Sequence, residues 1–214
     1  MSRYASVVLD VDSTLSAIEG IQWLAKRCDE EVRRRIAAQT EAAMRGDIDL
    51  ESVYAERLEV VCPTRAQIAA LGAAYVDAIA PGAVDAIAAM RAAGVRVVVV
   101  SGGLRQAVIP LAEHAGIPES DVHAVSLHFS SEGSYAGFDT SSPLYRSGGK
   151  PRCVASLALP SPVIAIGDGM TDAELRGTVS SFVAFTGFAR HERVVAAADR
   201  VITSFAELPP LVLA

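Results

Sequence analysis

Short apolar runs alternate with longer stretches of helical periodicity along most of the chain. Each run is rich in β-branched residues and ends against Gly, Ser, Asp or Thr, which is typical of buried strands. The runs cover residues 6–9, 95–100, 163–166 and 182–185. Continuous apolar strands that are separated by helices predict a parallel sheet covered on both faces, so we expect an α/β fold with a doubly wound sheet.

Two segments depart from this alternation. Residues 16–76 show helical periodicity with many Ala, Glu and Arg and no convincing strand. We therefore predict a small helical cap at 16–76, inserted after the first strand into a core made of residues 1–15 and 77–214. Residues 123–129 and 134–138 flank the turn-forming sequence SSEG, and this pattern predicts a β-hairpin flap.

Composition and charge exclude two classes of partner. The chain has 214 residues, of which 51% are hydrophobic, and this is enough to bury a full core. A net charge of −6 and a pI near 5.2 leave no basic face for nucleic acid, which is bound through clustered Lys and Arg. Because no uninterrupted apolar stretch is as long as a membrane span, we expect no membrane partner either.

The cysteines and the first residues bear on the cellular compartment. Three cysteines at uneven spacing form no CxxC pair, which fits a reducing compartment. No basic-then-apolar leader precedes the first strand at Ser6, so we expect a cytoplasmic protein. The sequence leaves the oligomeric state open between monomer and homodimer.

Polar residues follow three of the predicted strands. Asp10 and Asp12 come directly after the first strand, Ser101 and Gly102 after the second, and Asp168 after the third. Since chemistry in an open α/β sheet belongs at the carboxyl ends of the strands, these residues are predicted to form one site. Each motif alone is common in turns, and the shared position after an apolar strand is what indicates a function.

The carboxylates at this edge predict a metal ion. Asp10, Asp12 and Asp168 would repel one another in a buried site unless a cation were bound. Carboxylate oxygens suit Mg²⁺, which also takes substrate phosphate oxygens as ligands. We therefore expect Mg²⁺ as the cofactor, with Asp172 supporting the metal-bound waters or the nearby Lys150.

Phosphoryl transfer is the chemistry that fits these groups, because it requires positioning and charge neutralisation. Asp10 is the predicted nucleophile, which would form an aspartyl-phosphate. Asp12 is placed to protonate the leaving oxygen and later to deprotonate water. Ser101 and the amide of Gly102 can bond the phosphoryl oxygens, and Lys150, which leads a helix, supplies a positive charge.

The motifs also resemble those of a known family. Four stretches are similar to the motifs of the haloacid dehalogenase superfamily: DVDST at 10–14, SGG at 101–103, GGK at 148–150 and IGDGMTD at 166–172. Further stretches resemble the phosphoserine phosphatase family within it: EGI at 19–21, ERL at 56–58, GSYAGFD at 133–139 and SGGK at 147–150. The resemblance covers about residues 7–205.

The resemblance implies a Rossmann-like core with a helical cap and the hydrolysis of O-phosphoserine, a reaction of serine biosynthesis, through an aspartyl-phosphate with Mg²⁺. It implies that Glu19 holds the substrate ammonium and that Arg57 holds the substrate carboxylate. These charges are complementary to those of a zwitterion. Met44 matches the position of an apolar cap residue over the substrate, and the hydroxyl of Thr171 can meet a phosphate oxygen.

Other interpretations stay open. From their surroundings alone, Glu19 and Arg57 would be taken for solvated residues of charged helices. Leu50 stands where many relatives carry an aromatic residue, and Val125 stands where the family commonly has an asparagine. A different small phosphomonoester, or phosphoryl transfer to an alcohol, therefore remains an alternative, and a catalytically idle metal- or phosphate-binding regulator is a third. A dehalogenase is disfavoured, because halide displacement requires neither an acid nor a metal group.

Overall fold

The structure is a computed structural model that describes residues 2–214, apart from the side chain of Met44. The strands are β1 (Ser6–Leu9), β2 (Arg96–Leu104), β3 (Val122–Val125), β4 (Leu127–Phe129), β5 (Tyr135–Phe138), β6 (Val163–Gly167), β7 (Ser181–Phe185) and β8 (Arg200–Ile202). The helices are α1 (Gly20–Ala25), α2 (Glu30–Arg45), α3 (Leu50–Val61), α4 (Arg65–Asp77), α5 (Ala83–Ala92), α6 (Arg105–His114), α7 (Gly149–Ser156), α8 (Met170–Ala173), α9 (Glu192–Ala197) and α10 (Leu208–Leu213).

A six-stranded parallel sheet forms the centre of the molecule, in the order β3-β2-β1-β6-β7-β8. Every residue of β1 and β6 is buried, as their continuous apolar sequences predict. The chain builds one side of the sheet from β1 to β3 and then returns to build the other side from β6 to β8. The direction therefore switches between β1 and β6, and the doubly wound α/β fold is confirmed.

The predicted hairpin is confirmed with a shorter first strand. Strands β4 and β5 pair antiparallel, whereas β3 pairs parallel with β2 at the edge of the main sheet. The prediction of one strand over 123–129 was therefore wrong in its first half. The side chain of Gln106 bonds both the N–H and the carbonyl of Leu127, at 3.0 and 2.8 Å, and holds the chain where it leaves the sheet.

Helices α1 to α4 lie between β1 and β2, within the segment that the sequence predicts to be helical. Local sequence signals define their ends. The carboxylate of Asp29 caps α2 by accepting a bond from the N–H of Val32, and Gly46 ends α2 in the left-handed conformation at φ 72°. Thr64 and Gln67 form a capping box that begins α4.

Helix α4 is anchored to the core. A Cβ atom at Gly72 would lie 3.2 Å from Pro110 Cγ and 3.3 Å from the carbonyl oxygen of Ala107, so glycine permits the close approach of α4 to α6. The segments that enter and leave the four helices are themselves paired, since the N–H of Ala80 donates to the carbonyl of Leu15 at 2.9 Å. Within residues 2–214, no helix combines the length and the hydrophobicity needed to cross a membrane.

Candidate active site

Three buried carboxylates meet at the switch point of the sheet. Asp10 follows β1, Asp168 follows β6 and Asp172 lies in α8. Within the described part of the chain, these three offer oxygen atoms that all lie within 4.8 Å of one another. The parallel pairing of β1 with β6, in which Leu9 is opposite Ile166, brings Asp10 and Asp168 together.

Lys150 enters this cluster from the start of α7. Its Nζ atom lies 2.8 Å from Asp10 Oδ1 and also donates to Asp172 Oδ1. Glycine is required before it, because a Cβ atom at Gly149 would lie 2.0 Å from the carbonyl oxygen of Pro143. The GGK sequence therefore lets the helix begin close enough for the ammonium group to reach both carboxylates.

The cluster is electrostatically strained without a further cation. Burial raises the pKa of Asp168 well above its ordinary value, and the carboxylates of Asp10 and Asp172 raise it further. Burial also raises the pKa of Asp172 to about 7, although Lys150 opposes this shift. Burial alone would lower the pKa of Lys150, but its contacts with Asp10 and Asp172 outweigh this effect and raise the pKa.

A metal ion fits these residues. Oδ1 of Asp168 accepts a bond from the Thr14 hydroxyl at 2.8 Å, whereas Oδ2 of Asp168 is buried and has no hydrogen-bond partner among the described residues. A buried carboxylate oxygen without a donor is costly unless a cation binds it. The donor set of carboxylate oxygens suits a hard cation, and Asp10, Asp168 and Asp172 are the residues that would hold it.

The predicted SGG motif lies at the end of β2, where pairing with β3 is interrupted between Val100 and Leu104. The hydroxyl oxygen of Ser101 accepts a bond from the N–H of Gly103 at 3.0 Å. A Cβ atom at Gly102 would lie 3.2 Å from the carbonyl oxygen of Leu144. Gly102 therefore allows this end of β2 to pass close to the neighbouring backbone at the cavity wall.

Asp12 is turned away from the carboxylate cluster. Its Oδ1 atom accepts bonds from the N–H of Gly20 at 2.8 Å and from the hydroxyl of Tyr75 at 2.5 Å. Burial raises the pKa of Asp12 to about 6, and the bond from Tyr75 opposes this shift. A raised pKa suits a group that must carry a proton to a leaving oxygen. Metal binding by the Asp12 side chain stays a prediction.

Glu19 and Arg57 line the same cavity with opposite charges. The Glu19 carboxylate accepts a bond from the Ser13 hydroxyl at 2.6 Å, and burial together with the Asp12 carboxylate raises the pKa of Glu19 to about 8. Arg57 is only 5% exposed and donates from Nη1 to the Thr40 hydroxyl at 3.0 Å. The alternative interpretation of Arg57 as a solvated surface residue is therefore wrong.

Arg57 also keeps an unused donor. Its Nε atom is buried and has no hydrogen-bond partner in the part of the chain that the structure describes. An unpaired guanidinium nitrogen in a cavity is suited to an anionic ligand, and a carboxylate matches its forked geometry.

The cavity brings together most of the predicted site residues. Those that line it are Asp10, Asp12, Glu19, Arg57, Ser101, Gly102, Lys150 and Thr171. Asp168 and Asp172 lie behind it, in contact through the carboxylate cluster. The side chain of Met44, predicted as an apolar substrate contact, lies outside the described part of the structure.

The cavity residues that were not foreseen from the sequence include three that contact predicted site residues. Tyr75 contacts Asp12, Thr40 contacts Arg57, and the hydroxyl of Tyr54 donates to the carbonyl oxygen of Gly102 at 2.9 Å. All three lie on helices, at positions that no local motif marks. Only their long-range contacts distinguish them from ordinary helix residues.

Comparison with known proteins now identifies the family. A family model described as haloacid dehalogenase-like hydrolase matches residues 7–175 of this chain. The chain belongs to the haloacid dehalogenase-like hydrolases. The expected superfamily is thus confirmed, and the strand-end carboxylates and Lys150 lie in the part of the chain that the family model covers.

Similarity to individual proteins is more specific than the match to the family model. The chain is 35% identical to human phosphoserine phosphatase over 206 residues, which cover 95% of this chain and 91% of that protein. It is 34% identical to a chloroplastic phosphoserine phosphatase of Arabidopsis thaliana over 208 residues, which cover 95% of this chain and 70% of that protein. A crystal structure of a phosphoserine phosphohydrolase-like protein from Francisella tularensis aligns with a TM-score of 0.89 at 27% identity, covering 97% of this chain and 99% of that one.

Proposed function

We propose that this hydrolase cleaves O-phosphoserine to serine and phosphate through an aspartyl-phosphate on Asp10. The observation that supports the proposal best is the pairing of Glu19 and Arg57 in one cavity beside Asp10. A zwitterionic amino acid offers an ammonium group to a carboxylate and a carboxylate to a guanidinium. The names of the human and plant relatives agree with this substrate.

The first half of the reaction follows from the cavity residues. A carboxylate oxygen of Asp10 attacks the phosphorus atom, and the bond from phosphorus to the serine oxygen breaks. The serine oxygen keeps the electron pair and takes a proton from Asp12. Ser101, the amide of Gly102 and Lys150 stabilise the charge on the phosphoryl oxygens.

The second half regenerates the enzyme. Asp12, now deprotonated, removes a proton from water, and the water oxygen attacks the phosphorus atom of the aspartyl-phosphate. The bond between phosphorus and Asp10 breaks, which releases inorganic phosphate. Closure of the cavity around the substrate would exclude other water until the serine has left.

Mg²⁺ is the proposed cofactor. The buried oxygens of Asp10, Asp168 and Asp172 are hard ligands, and within the described residues Asp168 Oδ2 has no hydrogen-bond partner. When bound, Mg²⁺ would neutralise the charge of the phosphoryl oxygens and of the carboxylates around them.

Residues 16–76 are proposed to act as a helical cap over a core formed by 1–15 and 77–214. The short paired segments around Leu15 and Ala80 support this division, because they join the inserted helices to the sheet. Two hydrogen bonds cross the boundary: the N–H of Leu50 donates to Ser147 Oγ at 3.2 Å, and the N–H of Ser147 donates to Glu51 Oε2 at 2.9 Å. Movement of α2 and α3 away from the core, with α4 held against α6, would admit the substrate.

A cytoplasmic location is the proposed one, and it is supported by the three free thiols of Cys28, Cys62 and Cys153. A small phospho-amino acid is the proposed partner, and phosphoserine hydrolysis would contribute to serine biosynthesis.

The test is phosphate release from phosphoserine, phosphothreonine, a sugar phosphate and an aryl phosphate, each with Mg²⁺ and with a chelator. We expect activity that requires Mg²⁺ and is highest on phosphoserine. Mg²⁺-dependent activity without that preference would support the proposed phosphatase chemistry but contradict phosphoserine as the substrate. Absence of activity on all four esters would reject the proposal altogether.

A further inference from the structure

Tyr75 makes a buried contact with the residue that protonates the leaving group. It lies in α4 and is fully buried, and its hydroxyl donates to Asp12 Oδ1 at 2.5 Å across 63 positions of sequence. The same oxygen accepts the N–H of Gly20 at 2.8 Å. Two donors therefore hold a single oxygen of the Asp12 carboxyl group, and they fix its rotation.

The other oxygen of Asp12 faces the strand end that carries the SGG motif. A Cβ atom at Gly103 would lie 3.1 Å from Asp12 Oδ2, so Oδ2 lies against this end of β2 at the cavity wall. A carboxyl group with Oδ1 held by donors presents Oδ2 for proton transfer.

We propose that Tyr75 is a positioning residue for Asp12, which its hydroxyl holds with Oδ2 directed at the ester oxygen of the substrate. The inference rests on the proposed function, because it assigns Asp12 the protonation of the leaving alcohol. In the proposed mechanism, Tyr75 contacts neither the phosphorus atom nor the ester oxygen of the substrate.

The surroundings of Tyr75 are built to keep the hydroxyl in place. A Cβ atom at Gly20 would lie 2.3 Å from Tyr75 Oη, so the hydroxyl occupies the space that any larger residue would take. The Ser16 hydroxyl donates to the carbonyl oxygen of Tyr75 at 3.1 Å. Because Gly72 also seats α4 closely on α6, the position of Tyr75 is fixed by the core rather than by α2 or α3.

The chemistry of the leaving group gives the inference a specific signature. When Asp10 bonds to phosphorus and the ester bond breaks, a serine oxygen needs the proton of Asp12, because an alkoxide is a poor leaving group. A nitrophenolate leaves without protonation. Misorientation of Asp12 should therefore slow the cleavage of phosphoserine far more than the cleavage of p-nitrophenyl phosphate.

The test is Tyr75→Phe, with kcat/KM measured on both esters at saturating Mg²⁺. This parameter reports the events up to departure of the alcohol, so the later hydrolysis of the aspartyl-phosphate does not obscure it. We expect a loss of about tenfold on phosphoserine and less than about twofold on p-nitrophenyl phosphate. The matched control is Tyr4→Phe, which removes the hydroxyl of another buried tyrosine, before the amino end of β1, and should leave both values unchanged.

The possible failures give different results. Equal losses on the two esters, or no loss on phosphoserine, would overturn the positioning role of Tyr75. A wild-type enzyme that cleaves p-nitrophenyl phosphate but not phosphoserine would overturn the proposed substrate, and the inference with it. A wild-type enzyme without activity on either ester would overturn the proposed phosphatase chemistry itself.

Gly20→Ala provides a second approach if Tyr75→Phe folds poorly. The added methyl group should displace the Tyr75 hydroxyl and cause the same selective loss on phosphoserine. The double variant Gly20→Ala/Tyr75→Phe should lose no more than the worse single variant, since both changes break one contact. Additive losses would contradict a shared mechanism.

Discussion

The strand ends and the inserted helices contribute to the cavity in different ways. Asp10 and Asp168 directly follow strands, and Lys150 lies in the first turn of a helix, so the sheet and short local segments fix their positions. Glu19 precedes α1 and Arg57 lies within α3, and their positions depend on how the helices pack. The contrast suggests that the strand ends carry the phosphoryl chemistry and that the helices carry substrate recognition.

The buried charges of the two regions are compensated in different ways. At the strand ends, Lys150 relieves part of the repulsion between buried like charges, and a bound cation would relieve the rest. In the helices, Arg57 is buried with one bond to Thr40 and an unused Nε atom. In the proposed function, a metal ion would complete the first arrangement and a substrate carboxylate would complete the second.

The largest effect should come from the nucleophile. Asp10→Asn should reduce kcat on every ester by about 10⁴-fold or more, because an amide cannot form the aspartyl-phosphate. Phosphate release measures the loss, and thermal unfolding should show that the fold is intact. The matched control is Asp85→Asn, an exposed change on α5 that should have no effect on kcat. Substantial turnover by Asp10→Asn would break the assignment of chemistry to the strand ends.

Substitution of the proposed metal ligand Asp168 should change activity and stability in opposite directions. Asp168→Asn should raise the Mg²⁺ concentration for half-maximal activity by about 10- to 100-fold, because a buried ligand is lost. In the presence of a chelator, the same variant should unfold at a higher temperature than the wild type, since a repelling buried charge is removed. Addition of Mg²⁺ should stabilise the wild type more than the variant. A variant that is less stable than the wild type without metal would contradict this electrostatic account.

A change of Arg57 should weaken the binding of phosphoserine and leave the phosphoryl-transfer step intact. Arg57→Ala should raise KM for phosphoserine by about 10- to 100-fold, the expected cost of a charged hydrogen bond to the substrate carboxylate. KM for phosphoethanolamine, which lacks the carboxylate, should change little. Arg91→Ala, an exposed change on α5, serves as the control. Equal changes in KM for both esters would contradict the proposed role of Arg57 in binding the substrate carboxylate.

The smallest effect should come from the contact between the two regions. Ser147→Ala removes the acceptor for the N–H of Leu50 and should lower kcat/KM on phosphoserine by about threefold, as expected for one hydrogen bond. Ser52→Ala is the matched control, because the Ser52 hydroxyl bonds only Asp49, just before its own helix, at 2.6 Å. If both variants behave alike, the contact between Leu50 and Ser147 has no role in closure.

The strand ends could be predicted from the sequence because their signals are local. A continuous apolar run followed by Asp10 defines both the strand and the site, and the observed bounds of β1 match the prediction. Strand β3 was misassigned because the step from Val125 to Leu127, where the chain leaves the sheet, depends on a contact with Gln106 that no local pattern shows.

The helical region could be predicted only as a set of helices. Its recognition residues were proposed from resemblance, and burial of Arg57 by α2 and α3 has no signature in the sequence around it. Tyr75 could not be foreseen at all, since its partner Asp12 lies 63 positions away. Side chains that act through tertiary packing are visible only in the folded structure.

The separation of recognition from chemistry can be measured directly as substrate binding to an inactive enzyme. Calorimetry at saturating Mg²⁺ would compare phosphoserine with phosphoethanolamine, on Asp10→Asn and on Asp10→Asn/Arg57→Ala. We predict that Asp10→Asn prefers phosphoserine by about tenfold or more, and that the added Arg57 change abolishes this preference. An undiminished preference in the double variant would contradict the assignment of recognition to the helices.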